Sequence, residues 1–525
     1  MRGKTMGKLL KQAQNLIQNH SGQSLILVVI FLPVMLGMAA AGVTVGTVYF
    51  AKTTLQNAVD AAALAGAKAA EAGNSPATQS FLVGQNDPNV QGQTVVVRTD
   101  PNIQDAVEAT ATEYVPGGFA GILGFKHFTV TATGIAAYGP GQGFGYAIFQ
   151  GSTNTTLAFD GGLHVKGSIH ANQNITLSGG SHVTGNINAS GTVSPVNSAT
   201  NGSRYSTPTQ HAPVIPMPSW PLPPSAPEPS IPTFSGTVIN GNFDPSWSSN
   251  GVQGNYIVHG NVNIGGGMNV NGSIEAYGNI TIGGGDKING NIVDYGGVVN
   301  LSGGPISGSV VAIDGSSPTG NTIISLGGGE PVGGNVIATG GNVTLGGDDP
   351  VTGSVWVSNG SIDLHGSDSV GGSVTAIESS TEADTLDNSP GYVIKVHGGD
   401  PVTGNITANN GDISLAGGQQ VGGYVVTANG NVSIGGGSDS STAEPTSNPI
   451  AILAEGSSPN GNITVQGGAN ITGIVYAPDG TVSVGGGSNV VGALIGEYVN
   501  WAGNLVTYNT QALSKAPLVG VRLIQ

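Results

Sequence analysis

Most of the chain after residue 150 repeats one pattern of apolar and polar positions. A short apolar–x–apolar segment is followed by two or three glycines, a polar gap and a Val/Ile–x–Gly segment, as in the runs that begin at Val262, Ile280 and Val482. Measured from the apolar residue before each glycine run, the unit recurs every 18 or 19 residues, and three gaps are longer. Self-similarity at a fixed period of this size is typical of solenoid proteins.

Each unit holds three short strand-like segments, and this predicts one coil of a parallel β-helix per unit. Alternation places Val, Ile and Leu inside and Asn, Thr and Ser outside, while glycine supplies the positive φ of a sharp corner. The predicted fold class is therefore an N-terminal transmembrane α-helix followed by a mainly β protein, a β-solenoid with 18–19-residue coils. In period and composition, about residues 150–500 resemble the Gly-rich, bactofilin-like β-solenoids.

The N-terminal region has a different pattern, because no residue from Leu25 to Phe50 is charged. As a helix this run would be about 39 Å long, enough to cross a hydrocarbon core of about 30 Å. Four basic residues precede it and only Lys52 follows closely, so the positive-inside rule places the N-terminus in the cytoplasm. We expect a single-pass protein of the bacterial cytoplasmic membrane, with its bulk in the periplasm or at the cell surface. A cleaved signal peptide and a buried helix are the alternatives.

The helical pattern continues past the apolar run. Leu55, Val59, Ala62, Gly66 and Ala69 recur at spacings of four and three, which is one stripe of a helix. The stripe consists mostly of small residues, so we expect a partner to approach it closely.

Several segments carry a resemblance to a known family. They are Gly22-Gln23-Ser24, Leu32-Pro33, Tyr49 and the run LQNAVDAAALA that begins at Leu55. About residues 1–140 resemble the TadE/TadG-like family, which is associated with the Tad machinery that assembles Flp pili. The resemblance implies contacts with the membrane and with other envelope or pilus-assembly proteins through the small-residue helix, and self-association is a further expectation. The residues that it marks for helix packing are Pro33, Gly46, Tyr49, Leu55, Gln56, Asn57, Ala58, Asp60, Ala62 and Leu64.

The pattern also suggests domain boundaries. Eleven prolines fall between Pro195 and Pro232, which predicts an extended linker or surface loop. The last coil needs a cover for its open strand edges, and we expect Val499, Trp501, Leu505, Val506 and Leu513 to supply it. The predicted domains are residues 1–24 (cytoplasmic basic segment), 25–72 (transmembrane and extended helix), 73–140 (small TadG-like α/β module), 141–193 (first coils), 194–233 (Pro-rich linker or loop), 234–500 (main solenoid) and 501–525 (C-terminal cap).

Composition excludes several functions. The net charge is −16 and there is no cysteine, which argues against nucleic-acid binding, thiol catalysis and disulfide scaffolds. Polysaccharide cleavage needs paired carboxylates, or a base beside a metal-bound carboxylate cluster. Between residues 150 and 514 the only basic residues are dispersed: Lys166, Arg204, Lys287 and Lys395. We therefore expect neither enzymatic activity nor a cofactor.

Two groups of side chains are candidate metal ligands. Asp348, Asp349 and Asp400 lie at equivalent corners and offer the oxygen ligands that Ca²⁺ prefers, although solvated turn residues would look the same. His164, His170 and His182 lie close in sequence, and the first and last are one period apart. A metal site or a polar surface ladder would explain them.

Three insertions follow the same strand of the repeat, so their loops are expected along one edge of the solenoid. That edge is a candidate interaction surface, although neutral loop growth would produce the same pattern. Its marker residues are Asp314, Ser316, Pro318, Glu378, Glu455, Ser457 and Pro459.

The sequence thus favours a membrane-anchored envelope protein of the Tad/Flp pilus-assembly type. Its external β-solenoid would serve surface assembly or adhesion. The alternatives are a tethered polysaccharide-active β-helix enzyme and a self-polymerising scaffold.

Overall fold

The structure is a computed structural model that divides the chain into two compact units, residues 1–139 with 520–525, and residues 140–519. It describes residues 20–71, 74–87, 95–99, 106–118, 121, 124–137, 142–159, 163–196, 204–220, 222–223, 226–313, 321–377, 392–399, 401–441, 450–456, 459–508 and 522–523.

The first unit packs one long helix on a small antiparallel sheet. Helix α1 spans His20–Glu71, and a short 3₁₀ turn, Pro76–Gln79, leads into α2, Phe81–Asn86. Strands β1, β2 and β3 are followed in the sheet by a short strand from the C-terminus. The bounds of these strands are Val95–Thr99, Ala106–Pro116, His127–Ala137 and Arg522–Leu523.

The C-terminal half of α1 covers this sheet with its stripe of small residues. Leu55, Val59 and Ala62 are fully buried in the core of the unit. At Gly66 an added Cβ would lie 2.9 Å from the side chains of Val97 and Val107, so only glycine permits the approach. The stripe that we expected a partner to contact is therefore filled by the protein's own sheet.

In the N-terminal half of α1, most of the described side chains are exposed, and Thr44 is an exception. Large apolar residues such as Phe31, Met35 and Val45 are among the exposed ones, and nothing lies within 4 Å of a Cβ built at Gly37 or Gly42. Within the described residues, no helix is both long enough and apolar enough to span a membrane. The transmembrane part of the predicted fold class stays a prediction.

The second unit is a parallel β-solenoid of about 16 turns, which confirms this part of the predicted fold class. Its coils stack through three ladders of parallel strands, named A, B and C. Two long strands, Asn470–Val484 and Asn489–Trp501, bend around the corners and contribute to all three.

The remaining strands belong to one ladder each. Ladder A contains Ile148–Gln150, Ile169–Ala171, Ile187–Ala189, Thr237–Ile239, Tyr256–Val258, Ile274–Ala276, Ile292–Tyr295, Val310–Ile313, Val336–Thr339, Val355–Ser358, Val374–Ile377, Ile406–Ala408, Val425–Thr427 and Ile450–Ala454. Ladder B contains Leu157–Phe159, Ile175–Leu177, Val193–Ser194, Val262–Ile264, Ile280–Gly283, Val299–Ser302, Thr322–Gly327, Asn342–Gly346, Ile362–His365, Tyr392–His397, Asp412–Ala416, Val432–Ile434 and Ile463–Val465. Ladder C contains His164–Lys166, His182–Val183, Val252–Gln253, Asn269–Asn271, Lys287–Ile288, Gln420–Val421, Asp439–Ser441 and Leu505–Tyr508.

Side-chain oxygens at one corner join successive coils. The Oδ1 of Asn255 accepts the backbone N–H of Ser273, and the Ser273 hydroxyl accepts that of Asn291. In this column a side-chain oxygen of the preceding coil satisfies a backbone donor that lies outside the strands. The column continues through Ser309, Asn335, Ser354, Ser373, Asn405 and Tyr424.

The coils do not stack in the order of the sequence. Leu494 pairs with Ile148, and Val506 pairs with Val165. One coil is therefore a hybrid of Leu505–Tyr508 from the C-terminal side and Ile148–Gln150 with Leu157–Phe159 from the N-terminal side. The coils of residues 148–194 extend the stack beyond residue 501, instead of preceding residue 237.

The hybrid coil corrects the predicted C-terminal cap. Val499, Trp501 and Val506 are buried, but they lie inside the stack and the N-terminal coils cover them. Leu505 pairs with Asn489 in the same ladder, and Leu513 lies outside the described residues. A strand of the same protein satisfies the open edge that we expected a separate cap to cover.

The Pro-rich segment is also more than a linker. Arg204 and Thr209 continue the stack by parallel pairing with His182 and Asn188. Because the stack therefore ends near residue 209 and begins near residue 237, the segment between them must return along the whole solenoid, about 75 Å for 16 coils. Residues 210–236 can reach about 84 Å in a polyproline-II conformation. We call residues 210–236 the strap.

The strap packs on the outer face of ladder A. Ile215 and Trp220 belong to a buried cluster with Leu453 and Ile495, and Ile231 and Phe234 pack at a second cluster that contains Val311, Ile337 and Trp356. The Tyr476 hydroxyl donates a hydrogen bond to the Pro218 carbonyl. The outer column that is buried in ladder A comprises Val293, Val311, Ile337, Trp356, Thr375, Thr407, Val426, Leu453, Tyr476, Ile495, Phe149, His170 and Asn188.

Candidate functional site

Two of the three insertions leave the solenoid at one corner, between ladders A and B, after Ile313 and Ile377. The third is divided: part of it follows Ala454 at the same corner, and residues 442–449 fall between Ser441 of ladder C and Ile450 of ladder A. The prediction that all three insertions follow one strand of the repeat is therefore wrong for that part of the third. Among the marker residues, Glu455 and Pro459 are described, and the Pro459 carbonyl accepts a hydrogen bond from Asn462 Nδ2. The others lie outside the described residues: Asp314, Ser316, Pro318, Glu378 and Ser457.

Glu455 has acidic neighbours that the sequence analysis did not single out. Burial and the charge of Asp479 raise the pKa of Glu455. Burial also raises the pKa of Glu497, against a hydrogen bond from Ser152, and Asp479 adds to the rise. No lysine or arginine forms an ion pair with these carboxylates in the described part of the chain.

The predicted calcium ligands lie at the corner between ladders B and C. Asp349 is fully buried, and its carboxylate accepts the backbone N–H groups of Gly329 (3.0 Å), Glu330 (2.6 Å) and Gly346 (3.2 Å). Asp348 is exposed at φ +72°, and Asp400 lies outside the described residues. Backbone donors therefore use the oxygens of Asp349 that we had assigned to a cation, and the calcium site stays a prediction.

Asp349 belongs to a carboxylate column at equivalent positions of several coils, which we define as Asp286, Glu330, Asp349 and Asp368. All four are buried, and each accepts a backbone N–H from a neighbouring coil. Burial, followed by the hydrogen bond and charge of Asp349, raises the pKa of Glu330 to about 7. The sequence signal was the recurrent acidic residue after the glycine run, but its burial was not apparent.

The three predicted histidines do not form a single cluster. His164 and His182 are neighbours in ladder C, with ring centroids 6.2 Å apart and edge to face. His170 lies in ladder A, where its Nε2 is 3.0 Å from Asn172 Oδ1. Burial lowers the pKa of His170 to about 4, and the bond to Asn172 opposes this shift only in part.

A different cluster, which sequence reasoning missed, lies on the outer face of ladder B. Asp363 and His365 are two residues apart in one strand, and His397 follows in the next coil, paired with His365. The His397 Nε2 lies 2.8 Å from Asp363 Oδ1, and the His365 Nδ1 lies 3.8 Å from the same oxygen. The available signal was the pair of HG runs one coil apart, which follow Leu364 and Val396.

The family motif of α1 acts within the first unit. Gln56 Nε2 donates to Asp60 Oδ1 (2.8 Å) and to the Thr133 carbonyl (2.9 Å). A Cβ at Gly134 would lie 2.6 Å from Asp60 Oδ1, so strand β3 contacts the helix closely at this point. Leu55, Ala58 and Ala62 are buried, Leu64 is half-buried, Asn57 and Tyr49 are exposed, and Gly46 has nothing within 4 Å; Pro33 lies in the helix.

A cavity of about 310 Å³ lies in this unit beside α1, lined in part by Thr47, Phe50 and Thr54. Glu113 and Asp87 also line it, and both are buried. Burial, together with the charge and hydrogen bond of Asp87, raises the pKa of Glu113.

Two family models match parts of the chain. Residues 22–69 match a family described as putative Flp pilus-assembly TadE/G-like. Residues 378–514 match a domain of unknown function, DUF7305. The chain therefore carries a TadE/G-like segment, as its resemblance predicted. No curated protein and no solved structure matches the chain.

Proposed function

We propose that this is a cell-envelope structural protein of the Tad/Flp pilus-assembly type that displays its β-solenoid outside the cytoplasmic membrane. The observation that carries the proposal is the match of residues 22–69 to the TadE/G-like family. The N-terminal half of α1 would be the single-pass anchor, supported by its charge-free run and by exposed residues such as Phe31, Met35 and Val45. The role outside would be surface assembly or adhesion, and not catalysis.

The largely exposed N-terminal half of α1 supports contacts with other envelope proteins. Leu55, Val59 and Ala62 are occupied by the protein's own sheet, whereas Gly37 and Gly42 face open space. Small residues allow helices to approach closely within a bilayer. Partners would therefore bind upstream of Phe50.

Protease treatment of intact spheroplasts that express the full chain tests the topology. We expect removal of the solenoid and protection of an epitope at the N-terminus, with both digested after permeabilisation. A solenoid that is protected in intact spheroplasts would contradict the proposed orientation.

A paired substitution tests the anchor itself. Val34→Arg with Val43→Arg places two charges in the apolar run, and we expect the protein to leave the membrane fraction. Thr53→Arg with Asn57→Arg, at exposed positions beyond the run, is the matched control and should stay membrane-bound. Equal fractionation of the two variants would show that the run is not an anchor.

A further inference from the structure

Asp363, His365 and His397 form a group of three side chains with metal-binding atoms on the outer face of ladder B, where Lys395 is a charged neighbour. Their ligand atoms all lie within 4.8 Å of one another. The side chains are 38%, 45% and 47% exposed, so an ion can reach them from solvent. The two residues below the cluster are Thr344 and Gly346.

The ring of His365 is held in one orientation. A Cβ at position 346 would lie 2.5 Å from His365 Nε2, so the ring rests against the bare backbone of Gly346. The ring of His397 stacks beside it, with centroids 5.6 Å apart and planes inclined by 17°. Both imidazoles are therefore positioned by the repeat, and the spacing of the coils sets the distance between them.

Hydrogen bonding among the three residues leaves one donor or acceptor unused. The contact of His397 with Asp363 at 2.8 Å is a good hydrogen bond. The Nδ1 of His365 is shielded from solvent and has no hydrogen bond, since Asp363 Oδ1 is 3.8 Å away. A shielded ring nitrogen without a partner is unfavourable, and a cation between the three residues would satisfy it.

We propose that Asp363, His365 and His397 bind a first-row divalent cation, of which Zn²⁺ is the representative. Two imidazoles and one carboxylate favour Zn²⁺ over Mg²⁺ or Ca²⁺. Ligand atoms on a tetrahedral zinc ion lie about 3.3 Å apart, between the 2.8 Å and 3.8 Å contacts in the cluster. Small side-chain rotations are sufficient, and the exposed side leaves one coordination position for water.

Some of the surrounding charges oppose a cation at the cluster, and others favour it. Lys395 pairs with Asp363 across the two coils, and its ammonium group opposes a cation at this place. Residues 150–525 carry 23 acidic and 6 basic residues, so the mean field of the unit attracts cations. Lys395→Gln is therefore expected to increase zinc affinity several-fold.

Equilibrium dialysis of the full chain in detergent against Zn²⁺, with metal analysis, tests the site. We expect one tightly held ion per chain, and at least about a tenfold loss of affinity in Asp363→Ala and in His397→Ala. His164→Ala with His182→Ala is the matched control, because these histidines are also neighbours on adjacent coils but have no carboxylate between them in the described structure. The control should retain the ion.

Two further measurements make the result decisive. All variants change exposed or half-exposed side chains, and far-UV circular dichroism must show the same β-structure in each. The visible absorption of the Co²⁺-substituted protein should indicate tetrahedral coordination, and His365→Ala should abolish that absorption. Equal zinc binding by wild type and by the Asp363→Ala, His397→Ala double variant would overturn the proposal, as would loss of the ion only in the control.

Discussion

The outer faces of ladders A and B use the same strand position in opposite ways. The outward residues of ladder A include Val311, Ile337 and Trp356, all buried beneath the strap. Those of ladder B include Asn300, Ser325 and Thr344, none of which is buried. In the coils that the strap covers, the strands of ladder A therefore have two buried faces, and apolar outward residues such as Val311 and Ile337 mark that cover in the sequence.

The difference also explains how the hybrid coil is held. The strap begins at the end of the stack formed by the N-terminal coils and returns to the first coil at Thr237, so it passes the hybrid coil on the way. The Pro218 ring lies close enough to Gly143 to exclude a Cβ there, and the end of the Met217 side chain lies against Gly151. The strap therefore binds the N-terminal side of the hybrid coil and the coils of the C-terminal side together.

The largest difference between ladders A and B is expected when a charge is placed on the covered outer face of ladder A. Ile337→Asp places a carboxylate where the side chain is fully buried and is expected to cost more than about 4 kcal/mol. The matched change Ser325→Asp on the open face should stay within about 0.5 kcal/mol. Denaturant midpoints of the two full-length variants measure the difference, and similar midpoints would show that the strap does not cover ladder A.

A smaller effect is expected from a change in the strap itself. Trp220 packs edge to face on Phe144 at 5.3 Å, and Trp220→Ala should cost about 3–5 kcal/mol and expose residues 210–236 to protease. Trp247 is 67% exposed, so Trp247→Ala is the control and should change neither stability nor cleavage. Unchanged cleavage of the strap in the Trp220 variant would contradict the packing described.

The carboxylate column tests whether acidic side chains at a corner of the solenoid titrate as buried groups or as exposed groups. Because the pKa of Glu330 rises from 4.5 to about 7 on folding, the folded state binds its proton more tightly. This group's contribution to stability is then complete below about pH 4.5 and is lost as the pH rises through 7, up to about 3 kcal/mol. Thermal unfolding at pH 5 and pH 8 should show this difference, and Glu330→Gln should reduce it.

Other carboxyls with raised pKa values, such as Glu455 and Glu497, contribute in the same direction, so the comparison is between wild type and variant. If the stability of Glu330→Gln keeps the full pH dependence of the wild type, the result contradicts a raised pKa of Glu330. This carboxyl would then behave as an exposed group.

The smallest effect concerns one hydrogen bond between ladder A and the strap. Tyr476→Phe removes the donor to the buried Pro218 carbonyl and should cost about 1–3 kcal/mol without opening the strap. Tyr277→Phe removes an exposed bond to Glu275 and should be nearly neutral. Equal midpoints for the two variants would mean that the strap carbonyl is hydrated.

The coil was predictable from the sequence because its determinants are local. Glycines such as Gly284, at φ +75°, mark corners, and the alternation in Val262–Ile264 gives the inward face. The TadE/G-like segment was also readable, since Leu55 and Asp60 belong to one contiguous motif. The cover on ladder A also had a signal in the sequence that the prediction did not use, namely apolar residues such as Val311 and Ile337 at outward positions of the strands.

The Asp363, His365 and His397 cluster and the carboxylate column show a second limit of prediction from the sequence. Asp363 and His397 are 34 residues apart with an insertion between them, so only the register of the coils brings them together. Glu330 reads as a turn residue in the sequence, and its burial follows from the stacking of one corner on the next.

The sequence by itself determined the geometry of each coil and the TadE/G-like segment, because both depend on residues within one short stretch of chain. Only the tertiary structure decided which coils meet. Every coil presents a similar parallel edge, so local pattern does not distinguish a neighbour in sequence from one 346 residues away, as in the pairing of Leu494 with Ile148. That choice depends on the hybrid coil and on the strap, whose apolar contacts form only when the whole stack is assembled.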